Sequence, residues 1–126
     1  MQLLRIDPPR EIQFSGTNFA DTTHVTHLTL TNASTTSNVA FKVKTTALKS
    51  YLVRPSQNVL KVGETVQIQI LLQRLQEVPA NHRHRFLVQA APTSEDTLSS
   101  REAWPQIVKD AQVSQDEASR CLGVLY

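Results

Sequence analysis

Histidine and cysteine are the side chains through which a small domain most readily does metal or nucleophilic chemistry, and this chain has four His and one Cys in 126 residues. His82 and His84 are spaced to share one face of a strand, and His24 and His27 lie close in sequence, yet no Cys or carboxylate completes a zinc set. No nucleophile, base and orienting group occur at a spacing known from catalysis. The residues therefore support neither an enzyme nor a metal or other cofactor. Binding chemistry is better supplied. Lys42, Lys44, Lys49 and Arg54 follow one another with no acid between them. Through Ala91 the chain holds ten Lys and Arg against five Asp and Glu, and after it three against six, so a net charge of +2 conceals a basic body and an acidic tail.

Those cations need a scaffold, and the scaffold is β. In Val39-Ala40-Phe41-Lys42-Val43-Lys44 the odd positions are apolar and Lys42 and Lys44 alternate with them, so a strand here buries Phe41 and Val43 and turns both lysines outward. Val66 to Leu72 gives its even positions to the core, as do Thr26, Leu28 and Leu30 within His24 to Asn32. Shorter strands are expected at Leu3 to Ile6, Glu11 to Phe14, Tyr51 to Arg54, Val59 to Lys61 and Arg120 to Leu125. Lys61-Val62-Gly63-Glu64-Thr65 has the composition of a hairpin connection. In Arg83 to Gln89, parity sends Phe86 and Val88 inward and leaves Leu87 outside with Arg83, Arg85 and Gln89. If this strand lies near Lys42 and Lys44, then Leu87 and the alkyl stems of Lys44 and Arg85 line an apolar slot rimmed by positive charge, suited to an aromatic residue flanked by acids.

The texture changes after Ala91. Ser99 and Glu102 have capping-box spacing, which predicts a short helix that Pro105 limits or restarts, with Trp104 covering a core edge. About seven strands with one late helix make an all-β sandwich or barrel, one domain over residues 1–126, long enough to hold a core without staples. No apolar run approaches a membrane span, and the early Pro8-Pro9 pair argues against a secretory signal. Cys121 alone suits a reducing, cytoplasmic compartment, and the sequon Asn32-Ala33-Ser34 is set aside. With 6% aromatic residues, and Phe41 and Phe86 turned inward, nucleic acid is not the expected partner.

Phe41-Lys42-Val43-Lys44-Thr45-Thr46-Ala47, followed by Tyr51-Leu52-Val53-Arg54-Pro55 and by His84-Arg85-Phe86-Leu87-Val88-Gln89, resembles the major sperm protein (MSP) domain, most closely that of the VAP proteins, receptors of the endoplasmic reticulum. Ile6-Asp7-Pro8, Glu11-Ile12-Gln13-Phe14, Glu102-Ala103-Trp104 and Arg120-Cys121 extend the likeness over nearly the whole chain. The resemblance implies an immunoglobulin-like seven-stranded β-sandwich that binds FFAT motifs, short acidic peptides carrying two phenylalanines. Its implied contact set is Lys42, Lys44, Thr45, Thr46, Arg54, Arg85, Leu87 and Gln89, with Phe86 supporting from the core. The cations would meet carboxylates or a phosphate, the threonines the peptide backbone, and Leu87 would floor the pocket.

Arg85 and Leu87 stand where VAP proteins commonly have Lys and Met, which keeps charge and apolarity but changes pocket shape. Leu48 and Ala33 replace frequent prolines, and Ala118 replaces a lysine common before the last strand. VAP proteins continue into a coiled coil and a tail anchor, so these residues are expected to be a piece of such a protein or a soluble member, placed at the cytosolic face of the endoplasmic reticulum in the anchored case. Homo-oligomers would then form through regions outside this chain. The alternative is the cytoskeletal branch, in which the same sandwich self-assembles.

Overall fold

Period-two alternation forces successive side chains to opposite faces of a strand, and two such sheets must bury their apolar faces against each other. The computed structural model of the chain, which describes residues 3–14, 23–74, 79–81, 83–96, 103–111 and 119–126, realises this pattern. In chain order the elements are β1 (Leu4–Asp7), β2 (Glu11–Gln13), β3 (His24–Asn32), β4 (Asn38–Thr45), β5 (Tyr51–Arg54), β6 (Gln57–Leu60), β7 (Thr65–Leu72), β8 (Arg85–Thr93), α1 (Ala103–Ala111) and β9 (Ser119–Leu125). All nine segments expected from the residue pattern form strands, and the short edge strands carry the count past seven. One sheet has the order β1-β3-β7-β5 and the other β2-β9-β8-β4-β6; β2 and β9 run parallel, and every other pair is antiparallel.

The core lies between the sheets, where Leu28, Leu30, Phe41, Ile68, Phe86 and Leu122 are fully buried. Burying one such side chain contributes roughly 1.5–3 kcal/mol. At one end of the sandwich Tyr51 meets Phe86 edge-on, with ring centroids 4.9 Å apart, and stacks on Phe14 at 5.9 Å. Its hydroxyl, the Tyr126 hydroxyl and the ring nitrogen His84 Nδ1 form a polar cluster, with Nδ1 2.8 Å from the Tyr51 oxygen and 2.9 Å from the Tyr126 oxygen and the two phenols in direct contact. Burial, reinforced by the Tyr126 hydroxyl, pushes the Tyr51 phenol far up, and burial raises Tyr126 too. Burial lowers His84, with Arg83 adding to the effect, so its ring is neutral at pH 7 and adds no charge beside Arg85.

Two expectations change. The turn at Lys61 to Glu64 forms, closed by Glu64 N–H donating to the Lys61 carbonyl at 2.9 Å and opened to the left-handed region by Gly63 at φ 75°. It is not a hairpin, because β6 pairs with β4 while β7 pairs with β3 and β5, so the turn passes from one sheet to the other. β8 starts at Arg85 rather than Arg83 and runs on through Ala90, Ala91 and Pro92 to Thr93, residues of low strand propensity held by pairing with β4. Asn32 is buried, its amide nitrogen donating to the Ser37 and Leu60 carbonyls at 3.0 and 2.9 Å while its oxygen accepts from Ser34 N–H at 2.8 Å, so the sequon nitrogen is consumed by a structural clasp.

The helix exists, but its expected capping residues, Ser99 and Glu102, lie outside the described residues, as do His82 and Ala118. Pro105 sits in its first turn, where a missing N–H leaves nothing unpaired. Trp104 and Ile107, on one helical face, pack with Ala40, Val59 and Ala91 in a second apolar cluster on the outer face of the five-stranded sheet.

Candidate functional site

The helix covers only half of that outer face. β4 and β8 run under it with small side chains, Ala40 opposite Ala91, and emerge beyond it with long ones. Two rows of outward residues follow. In the first, Gln57, Lys42, Gln89 and Ser119 lie abreast across β6, β4, β8 and β9; in the second, Lys44, Leu87 and Cys121 lie abreast across β4, β8 and β9. Directly opposed residues on such a face stand about 4.5–5.5 Å apart, within reach of one ligand side chain. Leu87 and Lys42 are half-buried, and Lys44 and Arg85 are exposed. Leu87 thus shares the outward face with Lys42, Lys44 and Arg85, as residue parity predicts.

One end of this face is braced by Thr46. Its N–H donates to the Arg85 carbonyl at 3.0 Å, and its hydroxyl accepts from the Arg85 N–H at 2.9 Å and faces the same carbonyl at 3.4 Å. This clamp fixes where Arg85 leaves the sheet. Thr45 Oγ1 accepts from the Ala47 N–H at 3.2 Å and tightens the turn that follows β4. Both hydroxyls thus already position backbone. The buried side-chain oxygen of Gln89 has no hydrogen-bond partner among the described residues, an acceptor of the kind a bound polar chain satisfies.

Seven of the eight expected site residues therefore belong to one region, contributed by β4, the turn after it, and β8. Arg54 does not share their sheet: it ends β5, opposite Gln69 of β7 in the four-stranded sheet. The chain then crosses to β6, and the carbonyl of Ser56, two residues on, accepts from Val43 N–H at 2.8 Å. Arg54 thus stands two residues from the chain's contact with β4 at the sheet edge. Ser119 and the exposed Cys121 join the face without having been expected there, because only the β8–β9 register aligns them with Gln89 and Leu87. Leu48, on the turn after Thr46, is 79% exposed.

No group of three His, Cys, Asp or Glu that could hold a metal occurs among the described residues. His24 and His27 point to opposite faces of β3, and His84 is engaged by the two tyrosines. No described helix is long and apolar enough to cross a membrane. What the described face offers chemically is a set of cations beside one half-buried aliphatic side chain and several polar groups.

Residues 3–113 match the family model of the MSP (major sperm protein) domain. Human vesicle-associated membrane protein-associated protein A is 34% identical over 122 residues, covering 96% of this chain and 47% of that protein. Human vesicle-associated membrane protein-associated protein B/C is 35% identical over 117 residues, covering 89% of this chain and 47% of that protein. The chain spans about half the length of these relatives. Among solved structures, WR4, an MSP family member of C. elegans, superposes with a TM-score of 0.68 at 19% identity over 99% of this chain and 98% of its own. A PapD-like domain of human CEP192 does so at 0.62 and 13% identity, over 98% and 84% of the two chains. At such identities these structures speak for the fold alone.

Proposed function

Given that the chain belongs to the MSP domain family and has VAP proteins among its relatives, we propose that it is a non-catalytic adaptor domain whose open basic face receives FFAT-like motifs, short acidic peptides with an aromatic residue. The observation that carries this reading is Leu87, an apolar side chain set abreast of Lys44 and next to Arg85 on a part of the sheet face that the described helix does not cover. An aromatic side chain lies on Leu87, acids on either side of it meet Lys42, Lys44, Arg85 and, around the edge, Arg54, and the peptide backbone bonds near Thr45, Thr46 and Gln89.

The energetics suit a motif-sized ligand. A buried phenylalanine contributes about 1.5–3 kcal/mol and each partly exposed charge pair about 0.2–1 kcal/mol, so after association costs the expected affinity is in the micromolar range, near −8 kcal/mol. Such contacts weaken with salt. In an anchored protein the domain would draw its partners to the cytosolic face of the endoplasmic reticulum, where several weak contacts act together.

Fluorescence anisotropy of a labelled acidic peptide carrying phenylalanine tests the reading. Saturable micromolar binding is expected, lost at least a hundredfold with a Phe→Ala peptide and with the Arg85→Asp/Leu87→Asp protein. A folded native domain that ignores the peptide at a hundred micromolar, yet sediments as growing assemblies, belongs to the self-assembling branch instead.

A further inference from the structure

The opposite side of the sandwich carries an apolar feature that the basic face does not explain. On the outer face of the β1-β3-β7-β5 sheet, Val25 is paired with Leu71 and Leu71 with Leu52, so three aliphatic side chains lie abreast across β3, β7 and β5. Val25 is 47% and Leu52 41% exposed, with Leu71 half-buried between them. The other outward positions of β3 and β7 are polar: His27, Thr29 and Thr31 on one, Thr65, Gln67 and Gln69 on the other. A lone exposed leucine is ordinary, whereas a row of three in register is a patch.

Charge indicates what covers it. β3, β5 and β7 contain no Asp or Glu, and the next outward row holds His27, Gln69 and Arg54. The acid on this sheet, Asp7, stands on β1, separated from β5 by two strands. A second copy placed symmetrically on the row would bring a second Arg54 to the patch with no acid on β3, β5 or β7 to offset the pair. An acidic chain with an apolar residue fits both features. The patch is also linked along the chain to the edge of the basic face: Arg54 stands two residues from Leu52 on β5 and two from Ser56, whose carbonyl accepts from Val43 N–H.

We propose that the Val25–Leu71–Leu52 row is a second docking point for the same acidic ligand, occupied by an aliphatic or aromatic side chain that lies beyond the core motif, with Arg54 as the joint. The proposal rests on the peptide-binding reading above. From Leu87 the path crosses one strand spacing to Lys44, another to the Ser56 position, four residues back along the chain to Leu52 on β5 and a third spacing to Leu71. At about 4.8 Å per spacing and about 3.3 Å per residue this is roughly 25–30 Å, or about eight extended residues.

The test titrates labelled synthetic peptides: a core of phenylalanine among glutamates, and the same core lengthened at one end or the other by ten Glu and Ser residues with a single Leu about eight positions from the phenylalanine, or with Ser in its place. For one of the two directions, the Leu-bearing peptide is expected to bind the native domain at least fivefold more tightly than its Ser counterpart. That gain disappears in Leu52→Asp and in Val25→Asp, both surface changes, while the core peptide binds these variants as it binds the native domain. Equal binding of Leu and Ser peptides in both directions, with core binding intact, overturns the second docking point and leaves the core reading standing. Absence of core binding overturns both. Self-association of the native domain in sedimentation, abolished by Leu52→Asp, assigns the row to a second copy and overturns the proposal.

Discussion

Two halves of one sheet face, built from the same two strands, have opposite fates. Where β4 and β8 carry Ala40 and Ala91, the helix lies down on them and Trp104 and Ile107 close a second core; where they carry Lys42, Lys44, Arg85 and Leu87, the face stays open. The strand pairing is continuous across both halves, from Asn38 opposite Thr93 to Thr45 opposite Phe86. Side-chain size and charge, not backbone geometry, decide which half becomes interior. Small apolar residues let a helix approach and exclude water; long cations hold other elements away and keep an apolar residue within reach of a ligand.

The comparison predicts a double dissociation. Trp104→Ala removes most of the helix's buried surface and should lower stability by about 3 kcal/mol, seen as an earlier urea midpoint, while the folded fraction still binds peptide. Leu87→Ala should do the reverse, weakening peptide binding about tenfold with an unchanged midpoint. If either variant lost both properties together, the two halves would be one coupled unit rather than separate regions.

A smaller effect separates the polar cluster at the end of the sandwich from both halves. Because burial, then Arg83, holds His84 below its ordinary 6.5, the unfolded chain takes up the proton first. The stabilisation from neutral His84 is full above about pH 6.5 and declines as pH falls from there toward the lowered folded value. Melting temperatures taken from pH 7.5 to 5 should fall slightly more steeply for the native domain than for His84→Phe, which has no proton to gain. An identical slope in the two would mean that the ring does not titrate differently on folding.

Much of the site is legible in the residues because alternation is a local property. Phe41 and Val43 inward, Lys42 and Lys44 outward, and Leu87 stranded among cations all follow from parity, and all are found. What required the three-dimensional structure is non-local. Ala40 occupies an outward position, yet it is buried, because a helix more than sixty residues later covers it. Cys121 and Ser119 reach the face only through the β8–β9 register, and the Val25–Leu71–Leu52 row exists only where three distant strands align. The turn at Gly63 shows the same limit: its composition reveals a turn, but not whether the strands it joins share a sheet.

The central claim is that the uncovered half of the β4–β8 face is where the ligand sits, and amide chemical-shift mapping during titration with an acidic phenylalanine peptide tests it most directly. The account predicts saturable shifts concentrated at residues 42–46, 85–89 and 119–121, with Ala40, Val59 and Ala91 beneath the helix unmoved. Shifts concentrated under the helix, or spread evenly along the strands with none at Lys44 and Leu87, would contradict it.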